Sequence, residues 1–244
     1  MSPIAISSIV FAFVFGGALT GMYLRVVLPQ HYLSDDSKDV VKIAMGLVAT
    51  MSALVLGLLV SSAKGSFDSQ SGEMTRASAK IILLDRTLAL YGPETKEARE
   101  LLHSVVAGMV DRMELKKSAL THEADNLYEK IQTLLPKDDS QRSIQSRALG
   151  LLISLQESRW LIYEQESTAI SIPMLVILLS WLTALFISFG LFARVNGATV
   201  TALLVSAFSV SGAVLLILEL YAPYEGLIKI SSAPLRAALA QLGN

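Results

Sequence analysis

The sequence predicts an all-α membrane protein: a four-helix transmembrane protein with a helical extramembrane bundle inserted between transmembrane helices 2 and 3. The first observation is that four long stretches carry no charged side chain: Met1–Leu24, Ile43–Ala63, Ser167–Ala193 and Val195–Leu218. Each can cross a bilayer, because about 20 apolar residues in a helix span roughly 30 Å of hydrocarbon. The second is that all 20 basic and 21 acidic residues lie outside these stretches. The third is that the charged segment Lys64–Glu166 is dominated by residues that favour helix.

Composition and motifs argue against several functional classes. A net charge of −1 gives no reason to expect a nucleic-acid partner. The absence of cysteine excludes disulfides, thiolate metal sites and thiol catalysis. The sequence has no glycine-rich phosphate loop, no nucleophile elbow and no zinc-protease motif. We therefore expect a protein that is not an enzyme and that needs neither a cofactor nor a metal.

The first stretch predicts a transmembrane helix from Pro3 to Arg25. It is too long for a signal peptide and lacks a basic segment before the apolar run, so we interpret it as a retained anchor. Gly17 and Gly21 have the GxxxG spacing that lets two helix backbones approach closely. This spacing is typical of an ordinary packing face, and it also suits a contact between copies of the chain.

The second stretch, Ile43–Ala63, predicts a helix that is rich in small residues. Several of them fall close to one face at helical spacing: Gly46, Ala49, Ser52, Ala53 and Gly57. Such a face can pack against a neighbouring helix, or it can line a narrow conduit between copies of the chain. No strong helix breaker occurs from Ser61 to Asp68, so we expect the helix to continue beyond the membrane. Residues 1–63 thus form the first two transmembrane helices.

The insert, residues 64–166, predicts a helical bundle continuous with helices 2 and 3. Gly92 and Pro93 end one predicted helix and start the next. Apolar residues recur at helical spacing in four segments, which contain Met74 to Leu88, Ala98 to Met109, Leu127 to Leu134, and Ile144 to Leu155. Asp85 and Arg86 lie beside one of these stripes. We expect them to form an ion pair inside the bundle or at a subunit contact.

The third and fourth stretches predict a transmembrane hairpin over residues 167–222. Only a few residues separate the two helices, and Asn196-Gly197 is a tight-turn signal. With four spans, both termini lie on the same side of the membrane as the insert. Basic residues near the span ends are slightly more frequent on that side, which favours a cytoplasmic insert.

The last segment, residues 223–244, predicts an interfacial tail with a short terminal helix from Pro234 to Leu242. Pro223 disfavours continuation of the fourth helix, so the chain should bend just after Glu219. Two interpretations of Glu219 remain open. It is an interfacial carboxylate, solvated or paired with Lys229 or Arg236, or it lies at a pore mouth or subunit contact.

Several segments together resemble the bacterial bestrophin-like domain family. The resemblance covers nearly the whole chain and rests on LDRTL at 84–88, YGPET at 91–95, SFGLF at 188–192 and the closing LELYAPYEGLIKISSAPLR at 218–236, with LGLL at 56–59, AK at 63–64 and RW at 159–160. The chain departs from the family pattern at two membrane ends. Tyr221 and Tyr224 stand where the family usually has an acidic residue and a phenylalanine, and Arg194 and Val195 interrupt a usual Ala-Pro-Arg-Asn.

The resemblance implies a ring of identical subunits in the bacterial inner membrane, and it suggests five copies. Bestrophins are anion channels, so the resemblance implies conduction of small anions such as chloride along a central pore lined by helix 2. Helix 2 offers the pore-lining candidates Thr50, Ser52, Leu56, Leu59 and Ser61, in which hydroxyls would face ions and leucines would form a hydrophobic constriction. Candidates for the pore mouth or a subunit contact are Glu219, Asp85, Arg86, Lys229 and Arg236. The alternative is a membrane-anchored sensor or scaffold whose insert binds a partner.

Overall fold

A computed structural model describes residues 2–29, 35–115, 122–167, 172–223 and 226–242. These residues contain eight α-helices and no β-strand, which confirms the all-α prediction. The helices are α1 Pro3–Val27, α2 Asp35–Tyr91, α3 Lys96–Leu115, α4 His122–Gln132, α5 Asp139–Ser167, α6 Ile172–Phe192, α7 Gly197–Leu220 and α8 Ala233–Leu239. Tyr224 and the side chains of Arg159 and Trp160, which contribute to the family resemblance, lie outside the described part of the chain.

Four helices are long and apolar enough to cross a membrane, as the sequence predicts. These candidate spans are Pro3–Val27, Asp39–Tyr91, Pro173–Phe192 and Gly197–Leu220. The last begins at the predicted turn, where the Asn196 side chain caps the helix by accepting a hydrogen bond from the Thr199 amide at 2.8 Å.

Helix α2 is a single helix of 57 residues that extends far beyond its apolar stretch. It ends where the sequence predicts, because Gly92 has a φ of 131° that a side chain would strain. A short 3-10 helix, Pro93–Thr95, then leads into α3. The Thr95 hydroxyl donates to the Leu88 carbonyl at 2.7 Å and closes the end of α2.

The chain divides into two compact units, which are described separately. The membrane unit comprises Met1–Ser66 and Ala169–Ile228, and the bundle unit comprises Phe67–Thr168 and Lys229–Asn244. The bundle unit also includes the end of the chain.

In the membrane unit, α1 packs against both α6 and α7. Glycines allow the close approach of α1 and α6: a Cβ on Gly21 would lie 2.9 Å from the Leu191 amide nitrogen, and one on Gly190 would lie 2.9 Å from the Met22 amide nitrogen. The GxxxG spacing of α1 therefore serves packing within the chain. Nearer the start of α1, the buried Ser7 hydroxyl donates to the Ser211 carbonyl of α7 at 2.9 Å.

The bundle unit has its own hydrophobic core, formed by residues from α2, α3, α4, α5 and α8. It contains the predicted apolar stripes, including Leu84, Leu102, Ile131 and Leu152. Helix α8 contributes Leu235 and Ala238, and Leu242 follows in the turn after the helix. These residues recur at helical spacing, so one face of α8 is apolar and packs into the core. The terminal helix thus forms close to the predicted position, and its apolar face packs into the core of the bundle unit.

Candidate functional site

Helix α2 presents three different faces within the membrane unit. The helical repeat of 3.6 residues places Ser52, Leu59 and Ala63 on one face, and these residues are 3%, 5% and 0% exposed. A second face, the open face, consists of the exposed residues Gly46, Thr50, Ala53, Gly57 and Ser61. A third, the apolar face, consists of the large exposed residues Ile43, Leu47, Met51, Leu54 and Leu58.

The five pore-lining candidates from the sequence do not share a face. Thr50 and Ser61 lie on the open face, whereas Ser52 and Leu59 are buried against their own chain and Leu56 is half-buried. The Ser52 hydroxyl oxygen is buried and has no hydrogen-bond partner in the described part of the structure. Small residues occur on more than one side of α2, so sequence spacing alone did not separate the open face from the buried one.

Two glycines of α2, Gly46 and Gly57, differ from Gly17 and Gly21 of α1 in their surroundings. A Cβ added to Gly46 or Gly57 would meet nothing within 4 Å, whereas one on Gly21 would meet the backbone of α6. Of the four spans, α2 is also the one that its own chain covers least. In its most apolar part 11% of the residues are buried, whereas 22% to 33% are buried in the most apolar parts of the other three spans. Among the residues that the structure describes, none packs against Gly46 or Gly57 on the open face of α2.

Glu219, in the last turn of α7, is only 3% exposed. Its carboxylate accepts hydrogen bonds from the Leu227 amide and, at 3.4 Å, from the Ile228 amide. Gly226 leaves room for it, because a Cβ there would collide with the Glu219 carboxylate and displace it. The sequence suggested solvation or a basic partner, but backbone amides of the turn after Pro223 satisfy this carboxylate.

We expect Glu219→Gln to lower the thermal stability of the detergent-solubilised protein and to alter its assembly. A neutral amide loses a charge-assisted acceptor and places an NH₂ group in a buried site, which costs about 1.5–3 kcal/mol. Glu129 lies on the exposed surface of α4, so Glu129→Gln is the matched control. Equal melting temperatures for the two variants would show that the carboxylate does not hold the turn.

Tyr221 connects the end of α7 to α2. Its hydroxyl lies 3.0 Å from the Ser62 hydroxyl, within hydrogen-bond distance. Nothing in the sequence pattern indicates this contact, because the two residues are far apart in the chain and both types are common at span ends. The contact fixes which side of α2 faces its own chain at Ser62.

Asp85 forms a buried ion pair, but its described partner is Arg99 of α3 and not Arg86. The Arg99 Nε and Nη2 atoms donate to the two carboxylate oxygens at 2.7 and 2.9 Å. These hydrogen bonds raise the pKa of Arg99 above its ordinary value. Arg86 is exposed. Asp85 and Arg99 are the same number of positions from Gly92 in the sequence, so a helical hairpin that turns at Gly92 brings them together. This spacing is the sequence signal that would have identified the pair.

The remaining candidates, Lys229 and Arg236, are both exposed in the bundle unit. Arg236 lies in the last turn of α8, where a positive charge is favourable to the helix dipole. Glu219 and Asp85 each have a structural hydrogen-bonding role, and Arg86, Lys229 and Arg236 are surface residues.

Comparison with known proteins identifies a family. The model of a family described as the bestrophin-like domain matches residues 10–235, which is nearly the whole chain. No curated protein and no solved structure matches the chain.

Proposed function

The chain belongs to the bestrophin-like domain family, and from this premise we propose that it is a homo-oligomeric membrane channel for small anions such as chloride. The observation that carries the proposal is the open face of α2. It is exposed on a span whose other side packs against its own chain, and it consists of glycine, alanine and hydroxyl side chains.

A closed ring of identical subunits explains why this face is left open. Cyclic symmetry brings the same helix of every copy around one axis, so the open faces of α2 surround a central conduit. Thr50 and Ser61 then supply hydroxyls to the conduit, and the glycines keep it from being filled by side chains. In this arrangement Ser52 and Leu59 support α2 from behind. The ring, which the family resemblance suggests is a pentamer, gives an oligomeric mass in native mass spectrometry.

The proposed orientation has both termini and the bundle in the cytoplasm of a bacterium, with the protein in its inner membrane. We expect the cysteine of Leu135→Cys not to react with an impermeant thiol reagent on intact cells, because it lies in the cytoplasm in this orientation. A cysteine in Asn196→Cys, in the turn before α7, should be labelled, since it lies at the opposite membrane face. Both positions are exposed, and the chain has no cysteine of its own. Labelling of position 135 but not 196 would reverse the orientation.

The exposed surface of the bundle unit favours a second candidate function. Leu83 and Leu90 of α2 are 40% and 76% exposed and lie on either side of the exposed Arg86. An apolar surface with one basic group suits a sensor or scaffold that recruits a protein partner. Ion flux through the purified protein in liposomes separates the two functions, because a sensor or scaffold conducts nothing.

A further inference from the structure

We propose that Lys64 determines the preference of the conduit for anions. This inference rests on the proposed channel function and identifies the charged group that sets its selectivity. Lys64 is the first charged residue after the uncharged stretch 43–63 of α2, and it is exposed. It therefore lies at the end of the span that leads into the bundle.

Contacts of its neighbours establish the direction in which Lys64 projects. Ala63 is completely buried, and Ser62 is hydrogen-bonded to Tyr221 of α7, so these residues mark the side of α2 that faces its own chain. Lys64 follows Gly57 by seven positions, which is about two turns of helix. It consequently continues the open face, in line with Gly57 and Ser61.

In a ring of subunits, this position places one ammonium group per copy around the same opening. Rings of basic side chains favour anions in pores, as rings of acidic side chains favour cations. The effect is strongest next to the apolar stretch, because charges interact more strongly where little water screens them. Lys64 directly follows this stretch, at the end of the span from which α2 continues toward Tyr91.

Asp68 is the acidic residue whose effect must be weighed against that of Lys64. It is exposed, and it lies about one turn further along the same helix, away from the uncharged stretch. At that distance from the span its carboxylate is more exposed to water and salt, which weakens its influence on a passing ion. Of the two charges, the positive one therefore lies nearer the uncharged stretch, and it makes the potential positive at that end of the conduit.

The test uses Lys64→Cys, which is specific because the chain contains no other cysteine. The full-length protein is placed in a planar bilayer under a potassium chloride gradient. The cysteine is modified with a methanethiosulfonate that carries either a trimethylammonium or a sulfonate group. We expect the positive reagent to preserve the chloride-over-potassium permeability ratio and the negative reagent to lower it at least threefold. Arg76→Cys, an exposed basic position elsewhere on α2, should give the same ratio with either reagent.

The outcomes separate this inference from the channel proposal. Currents that persist with the same permeability ratio after either modification would overturn the role of Lys64 and leave the channel function intact. No current from the unsubstituted protein would contradict the channel function itself. If Lys64→Cys does not assemble, Lys64→Gln replaces it. A chloride-over-potassium ratio in Lys64→Gln equal to that of the unsubstituted protein would likewise overturn the inference, and a lowered ratio supports it.

Discussion

Replacing Gly21 with leucine should prevent the membrane unit from folding. A Cβ at this position would lie against the Ile187 carbonyl and 2.9 Å from the Leu191 amide nitrogen, so α1 and α6 would have to separate. Overpacking a core by small amounts already costs about 1–3 kcal/mol, and here the obstacle is backbone and not a flexible side chain. We expect Gly21→Leu to be lost to aggregation or degradation, as measured by the monodisperse fraction in detergent size-exclusion chromatography.

Gly16→Leu is the matched control for this prediction. Gly16 lies on the same helix, and a Cβ there would meet nothing within 4 Å. Its yield of monodisperse protein should equal that of the unsubstituted chain. Comparable losses for both variants would mean that the GxxxG spacing of α1 has no special role in packing against α6.

Replacing Gly57 with leucine should leave the protein folded and stop ion flux. Gly57 has open space around it within the chain, so the larger side chain does not disturb the membrane unit. In the proposed ring, however, one leucine from each copy enters the conduit and excludes water and ions from it. We expect chloride flux to fall at least tenfold with an unchanged melting temperature and an unchanged native mass. Flux at the level of the unsubstituted protein would place the conduit away from the open face.

The spans, the helix ends and the bundle core could be predicted from the sequence because each depends on local signals. Uncharged stretches of sufficient length give the spans, Gly92 and Pro93 end α2, and apolar residues at helical spacing, such as Leu84 and Leu102, form the core. These signals act over a few turns of helix. They therefore remain visible without knowledge of which helices pack together.

The candidate site was less predictable because it depends on which helices meet. The open and buried faces of α2 both contain small residues, and only packing distinguishes Thr50 from Ser52. The partners of Glu219 are backbone amides. Every residue except proline has one, so the sequence does not indicate which amides will bind the carboxylate. The position of α8 in the bundle likewise depends on a distant apolar core.

Chloride efflux from liposomes that contain the purified protein tests the central claim most directly. The liposomes are loaded with potassium chloride, diluted into a chloride-free buffer with a potassium ionophore, and followed with a chloride electrode. We predict protein-dependent efflux that Gly16→Leu retains and Gly57→Leu abolishes. Efflux no faster than from protein-free liposomes, for a preparation that native mass spectrometry shows to be an intact oligomer, would contradict the account.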